Sequence, residues 1–189
     1  MNTKNNRRKR ASMQKFEQVL MEFLQTKELN QISVSDLCKR ANLNRSTFYA
    51  NYVDIYGLAD AIREKLEAQV AALYQDELAQ GYNSNNYLIL FRHIAQNQLI
   101  YRAYFKLGYD EKYRIVTYDN KLAKAQLNNR FIEYHMEFFR SGLNRIIKLW
   151  LQNGCRETPE EMFEIVQSEY RGRMELFSGS DAKGTEETL

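Results

Sequence analysis

Ile32-Ser-Val-Ser-Asp-Leu-Cys-Lys-Arg-Ala-Asn-Leu-Asn-Arg-Ser-Thr-Phe-Tyr-Ala-Asn-Tyr-Val-Asp-Ile-Tyr-Gly-Leu58 decides how the rest of the chain is read. Ser33 is placed to cap a helix, because its hydroxyl can accept from the free N–H groups of a first turn. Asp36 puts a carboxylate in that turn, where the helix dipole favours it. Val34, Leu37, Cys38 and Ala41 then share one face of a helix predicted over 34–41. Asn42 tolerates the left-handed conformation that ends helices. Asn44 can cap a third, short helix beginning Arg45-Ser46-Thr47 and carrying Phe48, Tyr49 and Tyr52. Two short helices joined by a three- or four-residue turn make a helix-turn-helix.

Working outward, Met13, Phe16, Val19, Leu20, Phe23 and Leu24 recur at helical spacing and predict an amphipathic helix of roughly four turns. It frays after Gln25. On the other side, Asp54 can cap a long helix carrying Leu58, Ile62, Leu66, Val70 and Leu73. It runs to about Gln80, long enough to link two domains. A loop is expected over 81–86, then a helix from Tyr87, a break near Asn97 and a helix carrying Ile100 and Tyr104. The run from Tyr113 to Tyr118 is strand-like, but one isolated strand is not stable by itself. It reads as irregular or as a helix start. A long helix is predicted over roughly 128–152, closed by Asn153-Gly154. Thr158-Pro159-Glu160-Glu161 is a helix start: Thr cap, Pro at the first position, Glu three after the cap. Beyond Phe177 the composition predicts a mobile tail.

The whole chain of 189 residues has room for one or two small domains. Hydrophobic residues at 44% and charged residues at 27% are a globular balance, which excludes disorder as the dominant state. One Pro and 8 Gly favour long helices over a sandwich or barrel. Residues 1–53 carry +6 and the remainder −3, giving the overall +3. The positive excess, concentrated in Arg7, Arg8, Lys9 and Arg10, suits a polyanion or equally a solvated terminus. Two cysteines cannot form a disulfide framework and imply a reducing, cytoplasmic setting. No apolar run approaches membrane-spanning length, and the basic start is followed by no signal-peptide-like apolar stretch.

The quoted stretch resembles the DNA-binding region of the TetR family of transcriptional regulators. That pattern runs from a hydroxyl-capped helix, through a turn matched by Ala41-Asn42-Leu43-Asn44, to a recognition segment matched by Thr47-Phe48-Tyr49-Ala50-Asn51-Tyr52. The resemblance covers roughly residues 8–75; beyond it only the helical architecture is alike, with spacing closest to small Firmicute-type members. It implies an all-α fold: an N-terminal three-helix DNA-binding domain and a C-terminal helical domain for ligand binding and dimerisation. The expected division is 1–53 for the basic arm and helix-turn-helix, together with the start of the connecting helix, to about 60. Residues 54–177 form the regulatory and dimerisation domain, and 178–189 a disordered tail. The resemblance also implies that Tyr49 touches phosphate and that Tyr52 belongs to the core. Three positions depart from the pattern: Asn42 replaces a Gly, Asn51 replaces Tyr or His, and Ile55 replaces a phosphate-touching Lys.

The residues themselves suit DNA. A short helix fits the major groove, where base edges present a readable donor–acceptor code. Arg45 can reach guanine O6 and N7. Asn44, Ser46 and Thr47 are short polar groups for base edges or phosphates, and Tyr49 and Asn51 flank them. Ser33 and Ser35 sit at a helix N-terminus, which favours a phosphate, although Ser33 can equally be only a cap. Lys39 and Arg40 add phosphate contacts or a solvated face. Arg7–Arg10 can track the backbone or enter a minor groove. Phe48 is assigned to the core.

One recognition helix buries little DNA, so a twofold dimer is expected. The candidate surface is the wide apolar stripe of Phe131, His135, Phe138, Phe139, Gly142, Ile146 and Trp150, with Phe163, Val166 and Tyr170 of the last helix. In the resembling family the last two helices of each subunit form a four-helix bundle. Tyr87, Phe91, His93, Tyr101, Tyr104 and Phe105 suit a pocket for a small effector, and suit an ordinary core equally well.

No catalytic constellation, phosphate loop or metal-ligand spacing is present, so no cofactor and no enzyme activity are expected. The resulting reading is a regulator of a double-stranded operator, more often a repressor, working as a homodimer with a possible small effector and no membrane partner. Its rivals are an activator that docks a protein, and an interaction protein with a degenerate DNA-binding head. The intact Arg45–Tyr49 helix argues against the last, and Ile55 argues for it.

Overall fold

The computed structural model describes residues 4–75, 87–112 and 131–178. Nine α-helices and one 3-10 turn run through these residues, with no strand among them. Helix α1 (Lys4–Phe23) is longer than its apolar spacing predicts. Phe16, Val19, Leu20 and Met21 are buried on its inner side. Arg7–Arg10 lie exposed on this same helix and not in a separate arm. No apolar residue before Met13 marks a period, yet residues 4–12 contain no Gly or Pro to stop the helix. The chain then passes through a 3-10 turn, Leu29–Gln31, where fraying was expected; the Glu28 N–H donates to Gln31 Oε1 at 3.0 Å.

Helices α2 (Val34–Ala41) and α3 (Arg45–Tyr49) fall where the spacing puts them. Ser33 Oγ accepts from the Asp36 N–H at 3.0 Å and donates to the Asp36 carboxylate at 2.7 Å. Asn42 is left-handed at φ 53°, and the Leu43 N–H reaches back to the Cys38 carbonyl, closing α2. Asn44 occupies the cap position of α3 without making a side-chain capping bond. Asp54 Oδ1 accepts from the Gly57 N–H at 2.8 Å and starts α4 (Ile55–Leu73). The expected extension of this helix to about Gln80, and the loop over 81–86, lie outside the described residues.

Phe48 joins these helices. Its ring is fully buried, edge-on to Phe16 at 5.3 Å and tilted against Tyr52 at 5.6 Å. Leu20, Leu37 and Leu58 close the core around it. Glu17, almost fully buried, pairs with Lys65 at 2.6 Å and ties α1 to α4.

The C-terminal helical domain contains α5 (Tyr87–Gln96), α6 (Gln98–Lys106), the short α7 (Tyr109–Lys112), α8 (Ile132–Gln152) and α9 (Pro159–Ser178). The break at Asn97 falls as predicted. Helix α6 packs against α1, α4 and α8, and α5 also meets α4, so these two helices carry contacts between the two halves. Helix α9 packs along α5, and Arg92 donates to Glu160 through Nε and Nη2 at 2.9 and 2.7 Å. The predicted start of α9 is a full capping box. The Thr158 N–H donates to Glu161 Oε2 at 2.7 Å, and the Glu161 N–H donates back to Thr158 Oγ1 at 3.2 Å. Gly154 (φ 78°) and Cys155 (φ 52°) both take the left-handed conformation after α8, so the turn needs one residue more than Asn153-Gly154. Ser178 lies in α9, not in a tail; residues 179–189, the strand-like run 113–118 and the expected helix start at 128–130 lie outside the described residues. Among the described residues, no helix is long and apolar enough to cross a membrane.

Candidate nucleic-acid interface

The five residues of α3 divide cleanly. Phe48 points into the core, while Arg45, Ser46 and Tyr49 are exposed and Thr47 is half-buried. Tyr49 stands edge-on to Phe48 at 5.4 Å with 54% of its surface open. A helix this short could not hold itself in water; the Phe48 anchor and the turn at Asn42 fix it. Asn44, Ser35, Lys39 and Arg40 are also exposed nearby in sequence. Arg40 approaches Glu22 at 3.8 Å, a loose surface pair. Burial pushes the Cys38 thiol up, and the Arg45 guanidinium opposes that shift, so the positive charge of Arg45 is felt at the α2–α3 corner.

Two candidate residues are already engaged. The Ser33 hydroxyl both accepts from and donates to Asp36, so it acts as a cap. Asn51 turns its amide back onto α3, donating to the Thr47 carbonyl at 2.7 Å, and its Oδ1 is buried without a partner. Its donor is therefore turned away from the outer surface. Ile55, where the family carries a phosphate-touching Lys, is 7% exposed and belongs to the core beneath α4. Tyr52 is buried too; burial first and the Glu17 carboxylate second push its phenol up to about 12.

The aromatic set predicted for an effector pocket is packed edge-on or tilted against its own members and neighbouring rings. Phe91 meets Trp150 edge-on at 5.6 Å, Tyr87 lies tilted against Phe139 at 5.5 Å, and Tyr104 contacts both Phe105 and Tyr109. His93 Nδ1 and the Tyr101 hydroxyl share a hydrogen bond of 2.8 Å. Burial lowers the His93 pKa and raises that of Tyr101. A cleft of about 490 Å³ lies elsewhere, between the end of α1, the 3-10 turn, α4 and the α6–α7 corner.

The apolar stripe on α8 separates into two. Leu143, Ile147, Trp150 and Leu151 are buried within the subunit. Trp150 donates from Nε1 to the Glu157 carbonyl at 3.0 Å. Val166 on α9 is buried as well, which removes both Trp150 and Val166 from any surface pairing. Phe139, Ile146 and Phe163 are half-buried at the edge of this core. A second stripe remains outside: Phe131 (63% exposed), His135, Phe138 (60%), Gly142 and Leu149 (50%). With Arg145 these follow a four–three alternation, the seam spacing of paired helices. Tyr134 and Ile165 extend it and were missed in the sequence, since exposure and not periodicity marks them. The side chain of Tyr170 lies outside the described residues. A Cβ added at Gly142 would meet nothing within 4 Å, so no contact inside the subunit requires a glycine there.

Residues 82–169 match the family model TetR_C_8, described as a transcriptional regulator C-terminal region. A curated relative is the HTH-type dhaKLM operon transcriptional activator DhaS of Lactococcus lactis subsp. lactis (strain IL1403). It is 29% identical over 105 residues, covering 55% of this chain and 54% of the relative. The chain thus matches about half the length of that relative. The all-helical fold of the described residues, the helix-turn-helix before the matched region and the matched region itself agree: the chain is similar to TetR-type transcriptional regulators.

Proposed function

We propose that this regulator binds a specific double-stranded operator as a homodimer, with α3 entering the major groove. The observation that carries the reading is α3 itself: pinned from beneath by fully buried Phe48, it leaves Arg45, Ser46 and Tyr49 open. Arg45 supplies a fork for guanine O6 and N7, while Ser46 and Asn44 supply short polar groups for base edges. Ser35, Lys39 and the basic turns of α1 supply phosphate contacts that set register and not sequence. The outer stripe of α8, with Ile165 of α9, supports pairing into a four-helix bundle, which spaces two copies of α3 about 34 Å apart on a twofold site. This role requires no catalytic chemistry.

The simplest mode is repression, since a bound dimer blocks access to the duplex, and a small effector that changes the spacing of the two α3 helices would release it. A second reading, activation through a docked protein, is favoured by the name of the Lactococcus relative. The sign follows from a reporter fused to the regulated promoter: deleting the regulator raises expression for a repressor and lowers it for an activator.

Operator binding itself is tested by gel shift with the DNA upstream of the coding region. The wild type should retard that DNA at nanomolar concentration. Arg45→Ala should weaken specific binding by about 1–3 kcal/mol and relax the preference at one base pair. A mutant with unchanged affinity and preference would remove Arg45 as a reader, and no retardation of any operator-sized DNA would sink the reading.

A further inference from the structure

In the seam that Phe131, His135, Phe138, Gly142 and Leu149 make along α8, Arg145 carries the fixed charge. It is exposed, and among the described residues it forms no ion pair or hydrogen bond. The other cations of α8 are spent inside the subunit. Arg140 donates to Glu137 and to the Asp110 carbonyl, and Lys148 pairs with Asp110 at 2.7 Å. Covering the seam with apolar surface alone would strip water from the Arg145 guanidinium and give nothing back. A facing carboxylate removes that cost, and the planar guanidinium fork matches one. A second α8 brings no acid to this point. Glu137 is tied to Arg140, and Glu133 stands at the heptad position of buried Ile147, on the far side of the helix from the seam. Helix α9 is the opposite case: from Pro159 to Glu169 it carries carboxylates and no cation. Glu160 is held by Arg92, Glu161 by the Thr158 cap, and Glu169 has a contact of its own. Glu164 is exposed, forms no ion pair or hydrogen bond among the described residues, and adjoins exposed Ile165.

We propose that Arg145 pairs with Glu164 of the partner subunit, and that this pair makes the surface selective for a second copy of this chain. Twofold symmetry forms the pair twice. The apolar seam supplies adhesion that any similar helix could share. The two charge pairs fix the register and reject a chain that brings no acid, or a cation, to the same point. The pairing rests on the homodimer reading above and adds to it which side chains choose the partner.

Sedimentation equilibrium of the full chain without DNA tests it. The wild type should be a dimer at micromolar concentration. Arg145→Glu sets two carboxylates together at each contact and Glu164→Arg sets two guanidinium groups together, so each should weaken the dimer by about a hundredfold or more. An equimolar mixture of the two variants should recover a dimer. Their heterodimer has opposite charges at both contacts, whereas either homodimer has like charges. Recovery also shows that both variants are folded. The double variant, Arg145→Glu with Glu164→Arg, should dimerise with itself and refuse the wild type when differently tagged chains are mixed and purified together. A monomeric wild type sinks the homodimer reading and this pair with it. A dimeric wild type whose single variants stay dimeric, or whose single variants dissociate without recovering each other, overturns the Arg145–Glu164 pairing and leaves the homodimer standing. A double variant that pairs freely with the wild type overturns the selectivity.

Discussion

Helix α3 and helix α8 both present side chains over a buried face, and they differ in what is left outside. In α3 one residue, Phe48, goes in and the outer residues are Arg45, Ser46 and Tyr49. In α8 a full inner stripe of Leu143, Ile147 and Trp150 goes in, and the outside is again apolar at Phe131, Phe138 and Leu149. A polar outside suits a partner that carries its own hydrogen-bonding code and charge. An apolar outside with heptad-like spacing suits a partner of the same kind as itself. Exposure alone therefore does not define an interface; the chemistry of what is exposed tells the two apart.

The largest test of that contrast removes the anchor. Phe48→Ala should cost about 3–5 kcal/mol of stability, because it opens a cavity between α1, α3 and α4. Urea denaturation measures it, and an unaffected midpoint would mean that α3 is held by something other than this ring. Next comes Gly142→Leu. Inside the subunit the new side chain meets open space and raises helix propensity, so the folded monomer should be no less stable. If Gly142 marks where two copies of α8 approach closely, overpacking costs about 1–3 kcal/mol for each copy. Sedimentation should then show monomers at concentrations where the wild type is dimeric; an unchanged dimer would move the contact away from Gly142.

A smaller effect separates steering from reading. Replacing Arg7, Arg8, Lys9 and Arg10 with Gln keeps α1 helical while removing charge. It should flatten the salt dependence of DNA affinity, by about 0.9 in the logarithmic slope for each phosphate that α1 no longer neutralises, with operator preference intact. A slope equal to wild type would leave these turns in solvent. The smallest is Ser33→Ala, expected to lower stability by about 1 kcal/mol through loss of the α2 cap. A loss of DNA affinity beyond that of a folding-neutral control would instead give Ser33 a phosphate contact despite its bonds to Asp36.

Where the chain carries its own stop and start chemistry, the elements were legible. Ser33, Asn42, Asp54 and the Thr158–Glu161 box each act on neighbours within five residues, so their spacing alone fixes where α2, α4 and α9 begin or end. The content of α3 was legible for the same reason: one large apolar residue among short polar ones. What was not legible depended on partners. Periodicity on α8 gives an angle but not the number of surfaces to be covered, so an inner and an outer stripe merged into one wide band, and Trp150 and Val166 were assigned outward. The basic turns of α1 have no apolar residue to set a period. Asn51 reads as a polar group on the recognition segment, and only coordinates show its amide folded onto Thr47.

Trp150 is the sole tryptophan of the chain, wedged edge-on to Phe91 between α5 and the turn that precedes α9. Excited at wavelengths where tyrosine is transparent, this protein therefore emits from one known spot in its C-terminal half. Its emission during melting reports that half alone, whereas far-ultraviolet dichroism reports every helix. Coincident curves would mean that the two halves unfold as a single cooperative unit, and separated curves that the helix-turn-helix opens independently.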